Sequence, residues 1–261
     1  MKRGLAIFKI RFLSSIQFRT AALAGVVTQF AWGFLSILMY KAFYDTNPNA
    51  FPMSFSALTD YIWLQQALLN LFALWIYDNE LFTSVANGQL AYELARPLDL
   101  YNYWFIRSLA NRVARTLLRF APTLMVAFII PQPYGLSLPV NLGPFMLSLF
   151  LATLLVVSIT MLVHISAIFT LSATGIRMFV VVVGEFLTGG VIPLPFFPTE
   201  WQTVIERSPF GLMQNIPFRI YSGDITDWSY LGLQLLWFVV LFLLGHSFMK
   251  IALKQIVIQG G

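Results

Sequence analysis

One acid in this chain stands where an acid is costly. Glu185 lies in Val183-Gly-Glu-Phe-Leu-Thr-Gly-Gly190, about midway along the uncharged stretch between Arg177 and Ile192. If that stretch crosses a bilayer, the carboxylate costs on the order of 2.5–3.5 kcal/mol, so it faces protein or a water-filled cavity. It could line a substrate pathway and attract a cationic, amphiphilic compound, with Phe186 and nearby aromatic rings supplying stacking and cation–π contacts. It could instead make a structural hydrogen bond to His164 or to a threonine of a neighbouring helix. His164 stands in a long stretch without formal charge. It reads as a packing histidine, or with Glu185 as the second group of a proton path.

Catalytic patterns are missing. No lysine follows a glycine, so there is no Walker A Gly-Lys to hold nucleotide phosphates. His164 and His246 do not form His-Glu-x-x-His, no Gly-x-Ser-x-Gly occurs, and no pair of carboxylates shares an apolar run. The absence of cysteine removes disulfides, thiolate nucleophiles and cysteine-ligated metals. The expectation is a chain that is not itself an enzyme and binds no cofactor or metal.

The elements that position Glu185 follow from composition. Of 261 residues, 58% are hydrophobic and 10% charged, against roughly 25% charged in soluble domains. Such a chain cannot cover itself for water; lipid must face much of it. Thr20 to Tyr40 carries no formal charge and, as a helix of about 31 Å, matches one hydrocarbon thickness. Between Arg119 and Arg177 there are 57 uncharged positions, about 85 Å as a single helix, so the chain turns back. The turn lies in Pro131 to Pro144, which holds four prolines and two glycines.

The resulting expectation is an all-α polytopic membrane protein, a single transmembrane domain over 1–261. An interfacial helix at 1–19 precedes spans at 20–43, 58–82, 112–130, 144–171, 176–192 and 228–248. A cytoplasmic coupling loop at 83–107 and a re-entrant extracytoplasmic region at 193–227 complete it. Leu5, Phe8, Phe12 and Ile16 share a helical face, which favours the interfacial helix over a plain extension of span one. With both termini in the cytoplasm, Lys2, Arg3, Lys9, Arg11, Arg19, Arg96, Arg107, Arg112, Arg115, Arg119, Arg177, Lys250 and Lys254 lie inside. Only Lys41, Arg207 and Arg219 remain outside, as the positive-inside rule requires. The net charge of +5 therefore expresses orientation and needs no nucleic acid.

Two segments carry further information. In Gly88 to Trp104, Leu90, Glu93 and Leu94 share a helical face and Pro97 excludes helix at Arg96, so a short helix ends near there. It is a handle for a soluble partner, or a plain interfacial loop. After span five, Gly189-Gly-Val-Ile-Pro-Leu-Pro-Phe-Phe-Pro198 and Ser208 to Gly223 form apolar, proline-punctuated structure. It reads as a hairpin dipping into the membrane over a pathway, or as a packed outer lid.

Leu-Ala-Arg-Pro-Leu at 94–98, Ile192-Pro-Leu-Pro-Phe-Phe-Pro198, Ser208-Pro-Phe before Pro217, Tyr221-Ser-Gly223 and the terminal Gln259-Gly-Gly261 together resemble the permease subunits of ATP-binding-cassette (ABC) exporters. The resemblance is to the type 2 class of drug and antibiotic efflux permeases in the bacterial cytoplasmic membrane, and it covers essentially the whole chain. It implies a half-transporter that pairs with an identical or sister six-span permease and binds two copies of a separate ATPase, which holds the ATP and Mg2+. Carried over, Glu93, Leu94, Arg96, Pro97 and Leu98 meet the ATPase, while Gly190, Ile192, Pro193, Pro195, Phe196, Phe197 and Pro198 close the outer end of the pathway lined by Glu185, His164 and Phe186. Two other classes compete: a proton-coupled secondary transporter using Glu185 and His164, for which paired broken helices are expected, and a non-transporting membrane assembly factor.

Overall fold

The computed structural model describes residues 2–16, 19–47, 51–170 and 172–255, with side chains from Gly4 to Ile16 and from Ala24 onward. Phe18, Leu171 and the Gln259-Gly-Gly261 tail lie outside the described residues. Every regular element among them is helical.

Helix α1 (Lys2–Ile16) is followed by α2 (Arg19–Thr46), α3 (Phe55–Ala67), the single turn α4 (Leu69–Phe72), α5 (Asn79–Ala86) and α6 (Leu90–Leu94). Then come α7 (Leu100–Ile129), α8 (Leu142–Thr170), α9 (Thr174–Leu187), a 3-10 turn at Leu194–Phe196, α10 (Thr199–Glu206), α11 (Asn215–Tyr221) and α12 (Ser229–Lys254). Among the described residues, three helices are long and apolar enough to cross a bilayer: α2 from Ala24, α8 and α12.

Helix α8 is apolar on every face, and a helix of that kind is buried. Leu155, Val156, Val157 and Met161 are fully enclosed, with α12, α11, α7, α5 and α4 packed around them. Helices α2, α9 and α12 turn large side chains outward, among them Trp32, Leu35, Phe179, Val182, Leu236 and Leu243. That surface suits hydrocarbon.

The turn between α7 and α8 falls in the Pro131–Pro144 segment and is tied down from two sides. Asp60 of α3 accepts from the Ser137 backbone N–H at 2.7 Å and from its hydroxyl. The Tyr221 hydroxyl at the end of α11 donates to the Ser137 carbonyl at 2.6 Å, and Val140 N–H to the Tyr221 carbonyl at 2.9 Å. At the start of α12, Ser229 donates to the exposed Asp227 carboxylate from both its N–H and its hydroxyl, which holds that group below the usual carboxylate range.

The helix bounds differ from the bounds of the expected spans in three places, each with a local cause. Helix α7 begins at Leu100 instead of 112, because Asp99, just beyond Pro97, caps it by accepting from Asn102 N–H at 2.8 Å. The apolar stretch at 58–82 is not one helix: α3 and α4 end at Phe72 and α5 starts at Asn79. Helix α9 has 14 residues, about 21 Å, short of a hydrocarbon core of about 30 Å. It stops where Gly189 takes φ +80°, a conformation open to glycine. The carbonyls beyond it are met inside the protein, Gly189 by the Tyr61 hydroxyl at 3.3 Å and Gly190 by Gln65 Nε2 at 2.5 Å.

Candidate functional site: a clamped break between two helices

Between α4 and α5 the backbone from Ala73 to Asp78 leaves the helix, so N–H and C=O groups lose their intrahelical partners. Nothing in lipid could replace those partners. Three side chains from three other helices do so.

Arg112 of α7 is buried, and its guanidinium is spent almost wholly on backbone. Nη1 donates to the carbonyls of Leu71 and Ala73, both at 3.0 Å; Nη2 donates to Ile76 at 2.7 Å and to the Thr160 hydroxyl at 3.0 Å. The planar fork suits this multidentate role. Glu185 of α9 accepts from Leu74 N–H at 2.7 Å through Oε1. His164 of α8 accepts from Asp78 N–H at 3.3 Å through Nε2. Glu185 and His164 thus meet the same break at different amides and are not bonded to one another.

Below the break an ion cluster starts α5. Asp78 caps the helix at Glu80 N–H, 3.2 Å away, and receives Arg107 Nε at 2.5 Å and Nη2 at 2.9 Å. Arg107 also pairs with Glu80, and Asn111 donates to Asp78 at 3.1 Å. Helix α1 joins through Arg11, 3.4 Å from Glu80, and through Ser15, whose hydroxyl donates to Asn111 at 2.9 Å. Because the Arg107 and Asp78 side chains are 4% and 8% exposed, losing either partner strands a buried charge.

An aromatic enclosure connects this cluster to α6. The His164 ring stacks on Phe82 at 4.8 Å and sits edge-on to Tyr77 at 5.7 Å, while the Arg177 guanidinium of α9 lies over both of those rings at 4.7–4.8 Å. Trp104 is edge-on to His164 at 6.4 Å and donates its indole N–H to Glu93 Oε2 at 2.7 Å.

The expected coupling residues therefore separate into two groups. Glu93 is turned inward onto Trp104, and Leu94 and Leu98 pack against the core. Arg96 and Pro97 face outward. Tyr92, 75% exposed on α6, is the residue sequence reading passed over. Its place on the face opposite Leu90 and Leu94 was the available signal. It borders an open groove of about 550 Å³ with Thr83, Gln89 and Arg96.

The outer-gate residues are likewise split. Pro193 and Pro195 are buried, Ile192 and Pro198 exposed, and Gly190 is held by Gln65. Phe196 packs on Tyr40 at 5.5 Å, and Phe197 meets Phe186 edge-on at 4.9 Å. Beyond them α11 inserts between α3 and α8, with Phe218 against Tyr61 at 5.1 Å and Phe72 at 5.8 Å.

Apolar helices around a buried core, with a helix break held by charged side chains, define a helical membrane protein built to carry irregular backbone inside its fold. Residues 13–260, nearly the full length, match the profile of the family described as ABC-2 family transporter protein. The chain belongs to that family: it is an ABC-2 type permease subunit, a membrane component that works with an ABC ATPase partner. No curated protein matches it.

Proposed function

We propose that the chain is one half of an exporter: two such permeases, identical or sister chains, enclose the pathway and two copies of a separate ATPase drive it. The absence of a Walker A lysine supports placing ATP and Mg2+ on that partner. The distribution of basic residues supports both termini inside, and the resemblance to efflux permeases supports a bacterial cytoplasmic membrane. The short α9 and the inserted α11 support a re-entrant hairpin that closes the outer end of the pathway.

The observation that carries the reading is the clamped break. Helices α3 and α4 belong to the membrane body; α5 and α6 lead to the exposed Tyr92, Arg96 and Pro97. The six residues between are the articulation through which movement of the ATPase pair reaches the membrane helices. Arg112, Glu185 and His164 each reach it from a different helix, so a displacement of α5 is felt by α7, α8 and α9 together.

The cargo we assign is an amphiphilic or cationic compound. Support comes from the carboxylate of Glu185 and the half-exposed ring of Phe186, which together offer charge and stacking. Purifying the chain from its native membrane and reconstituting it in vesicles tests the whole reading. An ATPase should co-purify and uptake of a cationic dye should require ATP. Recovery without an ATPase, with uptake following a proton gradient, overturns it in favour of the secondary transporter.

A further inference from the structure

Helix α1 lies across α7, and between them, closed on the third side by the start of α5, is a pocket of about 240 Å³. Its charges do not balance. Arg11 and Arg107 are matched by Glu80 and Asp78, and Asn111 is engaged by Ser15 and Asp78. Two donors on its wall are left over: the exposed guanidinium of Arg115 and the hydroxyl of Ser14, neither with a hydrogen-bond or ion-pair partner among the described residues. Arg115 stands one helical turn from Arg112 and from Arg119, a like-charge row that an anion relieves.

Position decides which anion. Arg115 is 14 residues from the end of α7 at Ile129, about 21 Å along the axis. Arg119, one turn further along α7, lies against Gly25 at the start of the apolar run of α2, so Arg115 stands where α2 meets the polar edge, within reach of a long side chain. Ser14 closes α1 just before α2 enters the membrane. Large exposed apolar side chains adjoin Ser14: Ile10 one turn before it on the same face, and Leu13 beside it. A phosphate held by the donors would have its acyl chains running over apolar side chains.

We propose that this pocket binds the phosphate of an anionic phospholipid, with Arg115 and Ser14 as its ligands, so that a lipid headgroup wedges α1 against α7 beside the ion cluster. The proposal needs only that α2 crosses the membrane, not the identity of any cargo. Basic pockets between membrane helices recognise headgroups in this way.

Native mass spectrometry of the full chain in detergent, with phosphatidylglycerol or phosphatidylcholine of the same acyl length added, tests it. The wild type should retain phosphatidylglycerol preferentially. Arg115→Gln should cut retention about fivefold, the equivalent of the roughly 1 kcal/mol that one cation near an anionic leaflet contributes. Lys41→Gln, remote from the pocket, should change nothing. If Arg115→Gln fails to fold, Ser14→Asp on the exposed rim should give the same loss. Retention unchanged in a folded variant overturns the proposal. So does displacement of the lipid by inorganic phosphate, which would make the pocket a site for a free anion.

Discussion

Arg112 donates from a single guanidinium nitrogen to the carbonyls of Leu71 and Ala73, each at 3.0 Å, and so bridges the last turn of one helix to the first residue beyond it. A buried guanidinium bonded to backbone and one threonine hydroxyl is an expensive choice for a fold. Its cost is offset because the alternative is a row of carbonyls without donors in an apolar setting.

Replacing Arg112 with Gln should destabilise the protein by about 1.5–3 kcal/mol for each charged hydrogen bond that Gln does not replace. Arg112→Lys should recover only part of this, since an ammonium cannot reproduce the fork. Thermal unfolding in detergent reads both, and an Arg112→Gln variant as stable as wild type would remove the clamp from consideration.

Glu185 separates structure from transport. Gln keeps an acceptor for Leu74 N–H, so Glu185→Gln should express and unfold like wild type. Glu185→Ala strands a buried amide and should cost about 1–3 kcal/mol. If the carboxylate also attracts cargo, Glu185→Gln should lower ATP-driven export of a cationic compound at normal protein levels. Export at the wild-type rate would confine Glu185 to its role at Leu74.

The Arg107–Asp78 pair should behave as a unit. Arg107→Gln or Asp78→Asn alone leaves one buried charge uncompensated, a loss of about 3–5 kcal/mol. The double variant should lose clearly less than the sum of the two. A strictly additive double-mutant cycle, measured by denaturant or thermal unfolding, would contradict the pairing.

On α6, neighbouring residues should give opposite phenotypes. Tyr92→Ala should leave stability within about 0.5 kcal/mol while weakening capture of the ATPase subunit in a pull-down. Glu93→Ala should destabilise the fold by about 1–3 kcal/mol, because the Trp104 indole loses its acceptor. Equal capture by Tyr92→Ala and wild type would move the docking surface away from α6.

Much of the helical architecture was legible. The charge-free run required a fold-back, its proline and glycine cluster located the turn, and the short helix before Pro97 was readable from the face shared by Leu90, Glu93 and Leu94. The break between α4 and α5 was not. Ala73-Leu-Trp-Ile-Tyr77 contains neither glycine nor proline, and the groups that open it lie 36 to 111 residues away. Arg107 at the end of the expected coupling loop and Arg112 at the start of the expected third span both looked like charges marking a membrane side, because one dimension does not distinguish a solvated guanidinium from a desolvated one. The long α7 hid behind the same charges, although Asp99 just after Pro97 was a capping signal. Glu185 was recognised as enclosed, yet its partner is a main-chain amide, a group every residue but proline carries and no motif advertises.

The turn between α7 and α8 gives the molecule unequal ends. Through Asp60, Ser137 and Tyr221 it fastens α3, α7, α8 and α11 to one another with short hydrogen bonds, so those ends travel as a plate. At the other end the same α3–α4 column is severed from α5 and held by side chains alone. Under the proposed docking of the ATPase at α6, mechanical work would meet its compliant joint first and its stiff plate last. The proposed coupling would make the protein a lever hinged near its handle, and distance probes across Ala73–Asp78 should register a stroke to which probes across Ser137–Tyr221 are blind.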